Sequence, residues 1–177
     1  MKRSRMGSEA IERLSVGKVA PTCRGFLFFF KKIGGNHFNY NTQKKMTVTY
    51  KSDVIPPTEV IVDLYNSAGL NRPTTDYKRI SQMYANSNLI VTAWDEYELV
   101  GISRSLTDFS YCCYLSDLAV REGYKCKGIG RRMIEITKDV VGGQTMLLLL
   151  AAPSAMEYYQ KVGLEKVENG FIIKRTS

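Results

Sequence analysis

Val120-Arg121-Glu122-Gly123-Tyr124-Lys125-Cys126-Lys127-Gly128-Ile129-Gly130-Arg131-Arg132 joins a strand-like run to a helix-like run. Upstream, Tyr111 to Val120 reads as a strand. Downstream, the residues from about Gly128 to Val141 read as a helix that Gly142-Gly143 stops. Glycines at such a junction let the backbone approach a ligand with no side chain in the way. The amides at the positive end of the helix then form an anion site suited to a diphosphate. Lys125, Lys127, Arg131 and Arg132 add positive charge around it. Two familiar phosphate loops do not fit. A dinucleotide fingerprint needs a third glycine where Met133 stands, and it follows its strand closely, whereas seven residues separate Val120 from Gly128. A P-loop needs lysine after its second glycine; Gly123 and Gly128 have the spacing, but Ile129 occupies the lysine place.

Working outward, Thr47 to Tyr50 alternates like a strand, and Pro56-Pro57-Thr58 punctuates, with Thr58 placed to cap a helix through about Ala68. Its apolar positions Val60, Ile61, Leu64, Tyr65 and Ala68 form a helical stripe. Gly69 to Pro73 is a loop. Asp76 caps a second helix with Tyr77, Ile80, Met83 and Tyr84 on one face. Leu89 to Trp94 and Leu99 to Leu106 form a hairpin about Asp95-Glu96-Tyr97-Glu98, and Thr107 to Ser110 turns into the Tyr111 strand. Beyond the second glycine stop, Met146 to Ala152 reads as a strand buried on both faces, broken by Pro153-Ser154. A short helix from Ala155 to about Lys161 follows, ended by Gly163, and Asn169-Gly170 centres a last strand pair. The order is βααβββαβαβ, with room for an extra strand.

Composition narrows the function classes. A chain of 177 residues that is 44% apolar suits one domain with a real core. The apolar run Phe26 to Phe30 is far short of the ~20 residues that span a bilayer, so no membrane partner is expected. Cys23, Cys112, Cys113 and Cys126 lack zinc-like spacing and His37 is the single histidine, so no metal site is expected. Free thiols in a reducing cytoplasm are the reading for the cysteines. The net charge of +8 lies wholly in residues 1–45, where ten Lys and Arg face two acids. The remaining fifteen basic and fifteen acidic residues cancel. That balance argues against nucleic acid as a partner of the folded body and reads residues 1–45 as a solvated, disordered basic extension. Residues 46–177 are then the functional domain, with Met46 the expected functional start.

Lys125-Cys126-Lys127-Gly128-Ile129-Gly130 resembles the acetyl-CoA loop of the GNAT superfamily of N-acetyltransferases, Gln/Arg-x-x-Gly-x-Gly/Ala, with lysine in the first place. Asp117-Leu118-Ala119-Val120 is similar to the end of that family's fourth strand. Glu157 to Leu164 is similar to its Phe-Tyr-x-x-x-Gly-Phe motif. In element order the similarity runs from about Thr47 to Lys174. The stretch from Gly101 to Asp117 also resembles small-amine acetyltransferases. The resemblance implies an α/β fold whose mixed, mostly antiparallel sheet is splayed at its centre and flanked by helices. It implies acetyl-CoA as co-substrate, its pantetheine paired with backbone of Leu118, Ala119 and Val120. Its diphosphate would be held by Cys126, Lys127, Gly128, Ile129, Gly130 and Arg131. The family's asparagine after the fifth strand has no counterpart in Ala152-Pro153-Ser154.

The implied reaction is acetyl transfer to a primary amine, of a small molecule or a protein, by direct attack. Tyr159 occupies the place of the tyrosine that protonates the departing sulfur. The places corresponding to the family's base, Tyr114 and Ser116, hold no competent base, and Asp117 is the nearest carboxylate. Asp117 should point to the opposite strand face unless a bulge re-aims it, and hydrogen bonding to a loop is its competing structural reading. A water chain to backbone carbonyls is the alternative. Cys112 and Cys113 have no core histidine to activate them and read as buried small hydrophobes. Acceptor choice is expected in Asn66 to Pro73, in the turn Asp108 to Ser110 and in the C-terminal hairpin, and a homodimer is left open. A non-catalytic CoA-binding sensor or partner-binding module is the competing reading, since no Glu or His base is present.

Overall fold

Among the described residues, the first regular element falls where the alternating pattern begins. The computed structural model describes residues 46–176, and the expectations for residues 1–45, His37 and Cys23 included, lie outside them. β1 is Val48–Lys51, α1 Thr58–Ala68, α2 Tyr77–Ala85, β2 Leu89–Asp95, β3 Glu98–Thr107, β4 Cys112–Val120, α3 Ile129–Val141, β5 Met146–Leu148 and α4 Met156–Lys161. Short 3-10 turns at Glu122–Tyr124 and Pro153–Ala155 precede α3 and α4. The sheet runs β1-β2-β3-β4-β5, antiparallel except for the parallel β4–β5 pair.

Each helix lies where its stripe directs it. From α1, Ile61, Leu64 and Tyr65 are buried with Ile80 and Tyr84 of α2 against Ile90, Leu99, Ile102 and Ala119. On the other face, Ile129, Met133 and Val141 of α3 pack with Leu89, Val91, Val100 and Cys113. α3 lies so close to β3 that a Cβ on Gly101 would stand 3.0 Å from Met133 Cε.

β4 changes face midway. Cys113 and Ala119 are six residues apart and would share a face of an unbroken strand. Instead Cys113 packs under α3 and Ala119 under α1 and α2. The register gives the cause: Arg104 faces Asp117 while the next residue, Ser105, faces Leu115. Ser116 is the extra residue of a β-bulge, and side chains beyond it exchange faces.

Several expectations are corrected. The N-cap of α1 is Pro57 rather than Thr58, and no side chain caps it. Asp76 does cap α2, accepting from the Arg79 amide. Tyr77 is exposed, whereas Ile80 and Tyr84 of α2 are buried in the core and Met83 packs against it. Of the vicinal cysteines, Cys113 is buried and Cys112 exposed, as strand alternation requires. Cys112 and Cys113 are free thiols, but Cys126 is disulfide-bonded. The strand at 146–152 shrinks to Met146–Leu148, part exposed rather than buried on both faces. The C-terminal strand pair does not form: residues 171–176 have no ladder, leaving Phe171 and Ile173 101% and 99% exposed. An Asn-Gly turn is a local signal, and a lone hairpin is marginal until it docks on a sheet.

Candidate active site

The head of α3 is built by backbone conformation. After β4, the Arg121 amide donates to Val100 O at 2.9 Å, and Tyr124 N donates to Arg121 O at 2.9 Å. Cys126 and Gly128 then take positive φ, 61° and 81°, a conformation glycine adopts without strain. The first helical bond of α3 runs from Arg132 N to Gly128 O. The amides of Ile129, Gly130 and Arg131 therefore precede the intrahelical ladder and point out of the helix end. A Cβ on Gly130 would meet Tyr158 Oη at 2.6 Å, so a side chain there would have to push that hydroxyl aside.

The surrounding cations divide into two kinds. Arg131 and Arg132 both pair with Glu135, at 2.9 and 3.2 Å, on the exposed face of α3. Exposed pairs of that kind are weak, so either guanidinium can turn to an incoming anion. Lys127 Nζ sits 4.9 Å over the Tyr124 ring, and Tyr124 in turn donates to Asp95 and Glu98. Hydrogen bonding to Asp95, with burial next, pushes the Tyr124 phenol up to about 12. Lys125, which stands in the first place of the loop pattern, is turned the other way. Its ammonium donates to Glu122 and to the Ala68 carbonyl, tying the loop to the C-terminal end of α1.

Beside that head, β4 has an open edge. β5 pairs with it only over Cys112 to Tyr114, opposite Met146 to Leu148. Among the described residues, no strand pairs with that side of β4 from Leu115 to Val120, while the β3 ladder continues to Gly101↔Val120. Leu118, Ala119 and Val120 thus line a splayed slot whose edge can pair with an amide-bearing ligand.

Asp117 faces away from this slot into the layer under α1 and α2. Its side chain is 0% exposed. It accepts from Arg104 Nε at 2.5 Å, Arg72 Nε at 2.6 Å and Tyr65 Oη at 2.9 Å. Tyr65 and Tyr84 hydroxyls lie 2.6 Å apart, and burial, foremost, raises both phenols far above their ordinary value. The bulge does re-aim Asp117, and it re-aims it into an ion-paired core. Sequence reasoning missed this network; the available signal was Arg104, a lone charge inside the otherwise uncharged strand Leu99 to Leu106.

The two tyrosines of α4 point to different places. Tyr158 reaches Gly130 at the α3 head. Tyr159 lines a trough of about 780 Å³ with Ile134, Leu148, Leu150 and Leu164. Burial raises both phenols, so each hydroxyl holds its proton through neutral pH. A second depression, about 630 Å³, includes Thr107, Asp108, Tyr114 and Leu148. Asp108 itself is committed to its turn. It accepts from the amides of Ser110, Tyr111 and Cys112 at 2.8 to 3.0 Å, which holds its carboxyl down at about 2. Among the described residues, no group of three His, Cys, Asp or Glu is placed to hold a metal ion. No described helix is long and apolar enough to cross a membrane.

A mixed sheet splayed between its fourth and fifth strands, with an amide-rich helix head beside the gap, is the frame of an acyl-CoA-dependent acyltransferase. The GNAT acetyltransferase domain model matches residues 62–174, and the chain belongs to that family, whose acetyl donor is acetyl-CoA. Among solved structures it is similar to a probable acetyltransferase of unknown function from meticillin-resistant Staphylococcus aureus. That likeness is 25% identity over 73% of this chain and 100% of the other, with a TM-score of 0.60. A GNAT-family acetyltransferase from Streptococcus pneumoniae TIGR4 shares 22% identity over 74% and 100% of the two chains, TM-score 0.59. The aminoglycoside N-acetyltransferase AAC(6')-Iy, solved with CoA, shares the fold at 11% identity over 76% and 99%, TM-score 0.58. Among curated proteins none matches the chain.

Proposed function

We infer that the protein transfers the acetyl group of acetyl-CoA to a primary amine by direct attack. The observation that carries this reading is the junction of the open β4 edge at Leu118 to Val120 with the outward amides of Ile129 to Arg131. The amides, with Cys126, Lys127 and Gly128 in the loop, would hold the diphosphate, and the strand edge would pair with the pantetheine arm. The residues present fit that donor, since a strand edge and a helix head each leave hydrogen-bonding groups unspent.

In the reaction, the amine nitrogen forms a bond to the acetyl carbonyl carbon and the C–S bond breaks, its electron pair leaving with sulfur. Tyr159 donates its phenolic proton to that sulfur. The proton lost by the nitrogen passes through water, which restores the phenol. Asp117 is not the base in this reading: it is buried and already accepts from three donors. Removing a proton from the amine, pKa ~10.4, is then the larger demand near neutral pH, against ~8.5 for a thiol. Small-molecule amines and protein amines both remain acceptors, in a cytoplasmic setting.

Calorimetry with CoA on the full chain, followed by thiol release over a panel of arylalkylamines, polyamines and amino sugars, tests the reading. CoA uptake with turnover on one amine supports it; absence of CoA uptake overturns it. The saturated state of Asp117 favours one second reading, a CoA-binding sensor without catalysis. Tight CoA binding with no turnover on any amine is its signature.

A further inference from the structure

The family reading leaves unexplained why two arginines converge on the one bulge of β4. Arg104 arrives from the neighbouring strand, and Arg72 from the loop between α1 and α2, 45 residues distant in sequence. Both grip both residues of the bulge. Arg104 donates from Nε to Asp117 and from Nη2 to Ser116 Oγ at 2.7 Å. Arg72 donates from Nε to Asp117 and from Nη2 to the Ser116 carbonyl at 2.8 Å. Its Nη1 donates to Asn71 O, which stiffens its own loop.

The two arginines differ in what they can sense. Arg104 is 8% exposed and is held on its far side by Ser87 Oγ at 2.8 Å. Both arginines ion-pair with Asp117, so the buried carboxylate keeps a counter-charge from Arg104 when Arg72 is removed. Arg72 is 22% exposed and stands on the loop between α1 and α2. Its bond to a main-chain carbonyl is also the kind that fixes backbone rather than charge. A bulge needs such a clamp, because its extra residue has lost its ladder partner.

We propose that Arg72 is a positioning residue: by bridging Ser116 O and Asp117 it locks the bulge that aims the Leu118–Val120 edge into the slot. It thereby ties the loop after α1 to the strand that receives the acetyl donor. The inference rests on the acetyl-CoA reading and deepens it. A planar guanidinium can span two acceptors at fixed angles, whereas an ammonium cannot.

The test is amide-resolved NMR of the full chain titrated with CoA, in wild type, Arg72→Ala and Arg72→Lys. In wild type, the amides of Ile129 to Arg131 and those of Leu118 to Val120 should both shift. In Arg72→Ala the α3 set should still shift, with the CoA Kd raised about three- to tenfold, the scale of one lost hydrogen bond. The strand set should lose most of its response. Arg72→Lys should restore neither, and it keeps the local charge should the alanine variant unfold. A folded variant whose strand amides respond as in wild type overturns the inference. A wild type silent at both sets overturns the CoA reading, and this inference falls with it.

Discussion

The two flanks of the β4–β5 slot are built differently. On the β4 flank, α1, the loop after it, β3 and β4 converge on one buried carboxylate, and both of its oxygens have donors. On the β5 flank, a three-residue strand and a six-residue helix without a buried residue border a wide apolar trough. One flank is specified by directional bonds in a low-dielectric core, where each missing partner is costly. The other rests on partial apolar contact, where single changes cost little. The lesson is that the geometry of the β4 edge proposed to take the donor is set from the α1–α2 side, while Tyr159, the proposed proton donor, is carried by the looser side.

The sharpest way to break this contrast is to remove the centre of the rigid flank. Asp117→Ala leaves Arg104 buried without its counter-charge, and a urea melt should show a loss of about 3–5 kcal/mol. A loss under 1 kcal/mol would erase the distinction. Next in size is the tyrosine pair on the loose flank. Tyr159→Phe should lower kcat by about a hundredfold with stability unchanged, the scale of one general acid. Tyr158→Phe should stay within about twofold, since Tyr158 passes no proton in the proposed reaction. Equal losses for both would assign the wrong tyrosine. Because burial raises the Tyr159 phenol, the acid keeps its proton while the amine loses its own, so the rate should climb to about pH 9 without an alkaline fall.

Gly130→Val tests the helix head. Its branched side chain must displace the Tyr158 hydroxyl and cover the amides, and the calorimetric Kd for CoA should rise about tenfold, equivalent to ~1.4 kcal/mol. Smallest of all are changes at the periphery. Asp108 has a folded pKa of about 2, below its unfolded value near ~3.9. Its contribution to the 108–112 turn is therefore present above about pH 4 and lost as pH falls from there to about 2, readable in the amide signals of Ser110 to Cys112. Phe171→Ser, at a fully exposed side chain, should move the melt by no more than about 0.5 kcal/mol.

What the sequence disclosed follows the range of the interactions. The α3 loop, the caps at Asp76 and Gly142 and the hairpin about Glu96-Tyr97 are local, and each lies where its residues direct. The bulge at Ser116 was not readable, because it exists only in the pairing of β3 with β4. The Asp117 network has no spacing signal either, since Tyr65, Arg72 and Arg104 come from three other elements. The C-terminal strand pair fails for the converse reason: Asn169-Gly170 encodes a turn, but strands need an edge to dock on, and β5 offers three residues. Residues of α4 show the remaining limit. Periodicity separates Tyr158 from Tyr159 by 100° around the helix, but which one meets the slot depends on how α4 seats.

The most direct measurement is a crystal structure of the full chain grown with CoA. The account requires diphosphate oxygens within hydrogen-bond distance of the Ile129, Gly130 and Arg131 amides, and pantetheine amides paired along Leu118 to Val120. Density for the nucleotide in the trough beside Leu150 and Leu164, with the β4 edge empty, would contradict it.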